Sequence, residues 1–339
     1  METRHVLYFI AALLMTLVIT VLILRRLIPK LRSLKMGQKI LDIGPRWHKN
    51  KEGTPTMGGL AFIIAMTITF ATVGIYALAN SNHLWAIQFL ITYLMALLFA
   101  VIGIWDDSLK LRKRENEGFK AWQKFILQVA IAAAYLAAMT RFCKLTTVLH
   151  IPFFNVYVDL GWGYYVVAGL IIVGIVNSVN LTDGIDGLAS SVTTVVGAFF
   201  AVAAFAIGAN NPLIASLPVA IISAMMMGGC IGFLVYNFYP ARIFMGDTGS
   251  LFLGGLVAGL AFLVGSPLLV LLVGVVYVCE ALSDIIQVGV YKLTHKRVFK
   301  MAPIHHHFEQ CGWSEIKICA VFSIVTLIAA VTAFFGLPR

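Results

Sequence analysis

Five aspartates and an asparagine stand at three places in an otherwise apolar sequence: Asp106 and Asp107 in GIWDDSLK, Asn180, Asp183 and Asp186 in NLTDGIDGL, and Asp247 in FMGDTGS. After Asp186 no charged residue occurs until Arg242, an uncharged run of 55 residues. A spacing of three lets one helical turn present Asn180, Asp183 and Asp186 together. Carboxylates are hard oxygen ligands of the kind Mg²⁺ takes, and Mg²⁺ is typically held by one or two of them plus the phosphates of a substrate. The glycines beside these aspartates let backbone approach closely, and a helix starting at Asp247 would point free amides at an anion. Asp247, ahead of Thr-Gly-Ser, also has the form of a helix N-cap. A phosphate-bearing substrate with a divalent cation is the chemistry these residues suit.

A second group of polar residues follows. MAPIHHHFEQ at 301–310 carries His305, His306 and His307. Adjacent residues on a regular element point in different directions, which argues against one shared zinc and for imidazoles facing a phosphate. Glu280, Asp284 and Gln287 are spaced i, i+4, i+7 and share one helical face. Ionisable residues inside a membrane span normally face a bundle interior or a cavity. The segment RWHKNKEGTPTMGGL contributes Lys49 and Thr54, and its Thr-Pro-Thr turn is expected to fold the loop back toward the acidic residues, whereas Lys51 reads as a solvated basic flank.

The elements that must position these groups are membrane spans. Hydrophobic residues make up 60% of the chain and charged ones 12%, with a mean hydropathy of +0.92, against roughly a quarter charged in soluble domains. A helix needs about 20 apolar residues to cross a bilayer. Ten candidates lie near 6–24, 56–79, 84–105, 124–142, 160–181, 187–208, 213–235, 248–265, 268–291 and 316–337. The period-two alternation of a membrane β-barrel is absent. The first span is too long for a signal peptide and no small-residue cleavage site follows it. The expected fold is therefore an all-α polytopic membrane protein, a single integral membrane domain over 1–339.

Charge orients it. With the N-terminus outside, ten spans place 25–55, 106–124, 182–186, 236–247 and 292–317 in the cytoplasm, and these segments hold 21 of the 25 lysines and arginines, in keeping with the positive-inside rule. Both termini are then extracytoplasmic, and the active site forms from those five cytoplasmic loops. All five aspartates meet that same surface. The net charge of +10 flanks spans, unlike the basic face of a nucleic-acid-binding domain, so nucleic acid is not an expected partner. The five cysteines form no CxxC pair. Alternation from Ile151 to Leu160 predicts a short strand or hairpin within the external segment 143–160.

KNKEGTPTMGG, WDDSLK, NLTDGIDGL, NFYPARIFMGDTGS and APIHHHFE, in this order across residues 49–309, resemble the motifs of the polyprenyl-phosphate N-acetylhexosamine-1-phosphate transferase superfamily, and APIHHHFE with TPTMGG is similar to its muramoyl-pentapeptide branch in the bacterial plasma membrane. Phe252 departs from that pattern, which has a smaller residue such as alanine there. The resemblance implies transfer of phospho-MurNAc-pentapeptide from UDP-MurNAc-pentapeptide to undecaprenyl phosphate, giving lipid I and UMP with Mg²⁺. It implies Asp247 as metal ligand, Asp106 with Asp107 beside it at the lipid phosphate, and His305 among the catalytic groups. Asn180, Asp183, Asp186, Asn237 and Phe244 would hold the uridine end. Lys49, Lys124, His306 and His307 would engage phosphate or sugar, with Thr54 and Gln287 completing the substrate contacts. Direct attack and a covalent phospho-aspartate are both compatible with these residues, as are a monomer and a homodimer. Within the superfamily the alternative is a polyprenyl-phosphate GlcNAc-1-phosphate transferase, and two other classes compete, a secondary transporter and an intramembrane aspartyl protease. Both need carboxylates near the bilayer midplane, whereas these sit at span ends.

Overall fold

The computed structural model describes residues 3–33, 51, 53–113, 118–206 and 215–338. The chain is a polytopic α-helical membrane protein. Its elements are α1 (Thr3–Ser33), α2 (Gly59–Thr69), α3 (Ile75–Ala79), α4 (His83–Lys113), α5 (Ala121–Cys143), β1 (Val148–Ile151), β2 (Val156–Asp159), α6 (Gly163–Thr182), α7 (Leu188–Ala206), α8 (Ser216–Asn237), α9 (Gly246–Leu263), α10 (Leu269–Val273), α11 (Val275–Thr294), α12 (Ile304–Gln310) and α13 (Glu315–Phe334). A π-helical turn, Phe70–Gly74, joins α2 to α3, so that the second span runs unbroken from Gly59 to Ala79.

Among the described residues nine helices are long and apolar enough to cross a membrane, against the ten spans expected. The difference falls on 268–291. There the chain forms two helices, α10 and α11, separated at Gly274, and α11 carries Glu280 and Asp284 in its middle. Its buried residues, Val276, Tyr277, Glu280 and Ser283, all lie in its first half. The shared face of Glu280, Asp284 and Gln287 makes α11 amphipathic, which lowers its mean apolarity below that of its neighbours.

At the centre stands α9. Every residue from Thr248 to Leu263 is buried, as expected of a helix apolar on all sides, and it packs against α4, α6, α2 and α8. Phe252, the departure noted above, is fully buried with its ring 6.3 Å from that of Phe62 and 6.1 Å from that of Tyr93, so the larger side chain is absorbed as core. Large apolar side chains that remain exposed, such as Leu14, Leu94, Leu170 and Ile328, lie on the outer helices α1, α4, α6 and α13. That is the arrangement a hydrocarbon solvent permits.

One close approach sets the geometry of the site. At Gly103, near the end of α4, any side chain would run into the backbone carbonyl of Asp247. Small residues let membrane helices touch backbone to backbone, and here the contact brings Asp106 and Asp107 up to the first turn of α9. The hairpin expected within 143–160 is present as β1 and β2, antiparallel, with Val148 opposite Asp159 and Ile151 opposite Val156. His150 of β1 is buried and pairs through Nδ1 with Ser266 Oγ at 2.8 Å.

Candidate active site

Three carboxylates meet where α4 ends and α9 begins. One ligand oxygen each from Asp106, Asp107 and Asp247 lies within 4.8 Å of the others. Asp107 accepts hydrogen bonds from the Thr248 amide at 2.9 Å, the Thr248 hydroxyl at 2.7 Å and the Asp247 amide at 3.2 Å. The start of α9 is thus capped by a side chain from α4, and Asp247 is left with its carboxylate pointing away from its own helix. Gly246, at φ +75°, makes the turn into α9, and a side chain there would collide with Asp107.

Two lysines neutralise the cluster. Lys110 donates to Asp106 Oδ2 at 2.7 Å and to Asp247 Oδ2 at 2.8 Å, and Lys124 donates to the same Asp247 oxygen at 2.8 Å. Asp106 also accepts from the Phe119 amide at 2.7 Å, which ties down the chain entering α5. The other Asp247 oxygen accepts from Asn180 Nδ2 at 2.7 Å, and the same amide donates to Ser250 Oγ at 2.8 Å. Asp247 keeps 17% of its side chain exposed, and Lys110 keeps 32%, so this cluster has an open side. Its three hard-oxygen donors fit a small divalent cation, in the space that the two ammonium groups now share.

Asn180 and Asp183 join this group, but Asp186 does not. Burial, with the charges of Asp247, Asp107 and Asp186 adding to it, pushes the Asp183 carboxyl well above the usual carboxylate range. Asp186, three residues on, is 2% exposed. It accepts from Lys51 Nζ at 2.7 Å and from the Ala241 amide at 2.8 Å. Lys51 also donates to Glu315 at 2.6 Å, and the Asp186 amide donates to the same Glu315 carboxylate at 2.9 Å. The expectation that Lys51 is a solvated flank therefore fails: its ammonium is drawn in by two carboxylates. Asn237 is buried as well, accepting from the Gly187 amide at 3.1 Å and donating to the Ile243 carbonyl at 2.9 Å. Phe244 is half-buried, its amide donating to the Pro55 carbonyl and its carbonyl accepting from Gly58, each at 2.8 Å. Through these bonds the TPTMGG turn is stapled to the segment before Asp247. Thr54 sits half-buried in that turn, and Lys49 lies outside the described residues.

The histidines divide three ways. His305, 1% exposed, pairs through Nδ1 with Glu280 at 2.9 Å and packs its Nε2 edge on Gly184, where any side chain would collide with the ring. It is the one that reaches the 183–187 connector. His306 pairs with Glu309 at 2.6 Å, and His307 accepts from the Lys300 amide at 3.1 Å. Gln287 receives the amides of Val298 and Phe299 and so holds the loop between α11 and α12. Of Glu280, Asp284 and Gln287 on α11, Glu280 thus reaches α12 and Gln287 the loop before it.

Residues 89–265 match glycosyl transferase family 4, and residues 51–63 match the first signature of the phospho-N-acetylmuramoyl-pentapeptide-transferases. Curated relatives agree along nearly the whole chain. The phospho-N-acetylmuramoyl-pentapeptide-transferase of Clostridium botulinum (strain Alaska E43 / Type E3) is 45% identical over 97% of this chain and 96% of its own length. This chain belongs to that family. Other phospho-N-acetylmuramoyl-pentapeptide-transferases, from Clostridium acetobutylicum and Lactiplantibacillus plantarum, are 47% and 43% identical over 91% and 95% of the chain. Against a transferase of this family, Lys110, Glu315, Thr248 and Ser250 are residues that motif reasoning passed over, and Lys51 is one that it assigned to a solvated flank. Lys110 had a signal, since it stands four residues after Asp106 on one helix. Glu315 had none, because its partners lie 129 and 264 positions away.

Proposed function

We propose that the chain transfers phospho-MurNAc-pentapeptide from UDP-MurNAc-pentapeptide to undecaprenyl phosphate, yielding lipid I and UMP at the cytoplasmic surface of the bacterial plasma membrane. The observation that carries this is the open cluster of Asp106, Asp107 and Asp247 with Lys110 and Lys124 in a member of this family. An oxygen of the lipid phosphate attacks the β-phosphorus of the nucleotide, the bond to the bridging oxygen breaks, and UMP departs with the electron pair. Such phosphoryl transfers depend on positioning and charge neutralisation more than on covalent help from the protein.

Each residue then has a task. Asp247 and Asp106 would hold Mg²⁺, which would supply charge neutralisation for the diphosphate. Lys110 and Lys124 move from the carboxylates to phosphate oxygens as substrate enters, so that positive charge already gathered at the site is handed over without reorganising solvent. Asp107 has both oxygens engaged by the first turn of α9 and acts as a positioning residue. Asn180 orients Asp247. His305 presents Nε2 to the connector that carries Asp183, and Asp183, Asp186, Asn237 and Phe244 shape the nucleotide end. A prenyl chain has room close by: an apolar groove of about 940 Å³ runs along α5 and α6 from Arg141 and Trp162 to Asn177, one turn before Asn180.

The test is release of UMP by purified protein in detergent, given undecaprenyl phosphate and UDP-MurNAc-pentapeptide with and without Mg²⁺. Mg²⁺-dependent turnover of this donor and none of UDP-GlcNAc is the expected result. Turnover of UDP-GlcNAc alone would move the chain to a different donor, and no turnover of either by folded protein would sink the proposal.

A further inference from the structure

Glu315, the first residue of α13, belongs to none of the motifs and touches none of the three clustered aspartates, yet its side chain is only 9% exposed. Its carboxylate takes the Asp186 amide at 2.9 Å and Lys51 Nζ at 2.6 Å. A buried carboxylate is costly unless paired and hydrogen-bonded, and both conditions are met by segments far apart in sequence. Two bonds tie the 183–187 connector to the start of α7, Leu188 N to Ile185 O at 3.3 Å and Ser191 N to Gly187 O at 2.9 Å, and the His305 ring packs on Gly184. Within itself it makes one bond back to α6, Asp183 N to Asn180 O at 3.3 Å, and Gly187 adopts φ +77°. Its outside anchors are Glu315 on the Asp186 amide, Cys319 Sγ on the Asp186 carbonyl at 3.2 Å, Asn237 on the Gly187 amide, and the Asp186 side chain on Lys51 and Ala241. Glu315 is the anchor that also commands Lys51, and so it sets two segments against one another, the connector bearing Asp183 and the loop running into TPTMGG.

We infer that Glu315 is a positioning residue for the nucleotide-sugar donor, holding the 183–187 connector and Lys51 in register so that Asp183 and its neighbours present a preformed seat, without itself touching substrate or the phosphate undergoing attack. The inference rests on the function proposed above. A seat assembled in advance raises affinity by removing ordering costs at the moment of binding. Loss of the anchor therefore appears in donor KM, while the aspartate–lysine cluster and with it kcat stay as they were.

Glu315→Ala and Glu315→Gln, in full-length protein purified in detergent, test this by steady-state UMP release with each substrate varied in turn and with thermal unfolding measured alongside. Neither change strips Lys51 of its Asp186 partner, so no buried charge is orphaned. For Glu315→Ala a rise of about tenfold or more in donor KM is expected, with kcat within about threefold and the undecaprenyl phosphate KM unmoved, the signature of lost uniform binding of one substrate. Glu315→Gln, which can still accept the Asp186 amide, recovers part of that loss. Should Glu315→Ala not be recovered folded, the glutamine variant carries the test by itself. An unchanged donor KM, or a parallel fall in the kinetics of both substrates that tracks the loss of folded protein, overturns the inference. Wild-type protein without turnover would instead remove the proposed function and this inference with it.

Discussion

Two clusters of acid and lysine lie at helix ends, one where α4, α5 and α9 meet and one between the segment before α2, the α6–α7 connector and the start of α13, and they do opposite things. Around Asp247, three carboxylates share two lysines, and one side is open at Lys110, which is 32% exposed. Around Lys51, two carboxylates share one ammonium, Lys51 is 17%, Glu315 9% and Asp186 2% exposed, and backbone amides take up much of what remains. The residue types are the same. What separates them is whether the partners of each charge can leave. Lysines on an open cluster can turn to an incoming phosphate, whereas those in a closed one are bound to keep loops together. Charge composition in a motif therefore does not tell binding from bracing.

That contrast can be broken most directly at Asp247. Asp247→Asn is expected to cut turnover by about a thousandfold or more, in the range of losing a main electrostatic element of a site, with thermal unfolding in detergent unchanged; retained turnover would take Asp247 out of the cation site. Lys51→Met leaves Asp186 and Glu315 facing one another with no cation between them. Orphaning a buried charge costs about 3–5 kcal/mol, so this variant should unfold well below the parent protein, and equal stability would show the second cluster to be open after all. Lys124→Met should lower kcat by about a hundredfold while leaving the unfolding temperature near that of the parent, and a variant that lost stability and kept kcat would reverse the assignment. The smallest effect is expected at Asp183. Its carboxyl titrates well above the usual range when folded, so the folded protein holds that proton more tightly than the unfolded chain. Stability is then unaffected below the ordinary carboxylate pKa of about 3.9 and declines as pH rises from there toward the folded value. Asp183→Asn should accordingly unfold at a higher temperature than the parent at pH 7.5, with the gap closing at pH 4. A gap of the same size at both values would mean that ionisation is not its cause.

The sequence carried the spans because each is written in one contiguous apolar stretch, and eight of the first nine stretches plus the last became single continuous spans, with residues 268–291 the exception. Polarity on one face of α11 and the interruption at Gly274 were both visible there, but whether a half-polar helix stays in a bundle depends on neighbours that periodicity cannot name. The hairpin was legible from alternation. In the site, motif spacing found Asp106, Asp107, Asn180, Asp183 and Asp247, which the fold brings to one place. It could not tell that Asp186 and Asn237 turn inward to brace loops, since three-residue spacing says only that a turn can present a set of groups together. Glu315 and Lys51 were illegible for the plainest reason, that their meaning is in a contact between distant segments.

The touch of α4 on α9 at Gly103 has one more implication. Asp247 is placed by main chain resting on main chain, with no side chain between to act as a shim. Its position relative to Asp106 and Asp107 is therefore indifferent to what the outer, lipid-facing surfaces of the helices carry, and those surfaces can be rewritten for a thicker or more charged bilayer without retuning the chemistry. The tolerance has a mirror image: at residue 103 there is no smaller residue to retreat to, so the alignment of the whole site hangs on a position that has no side chain at all.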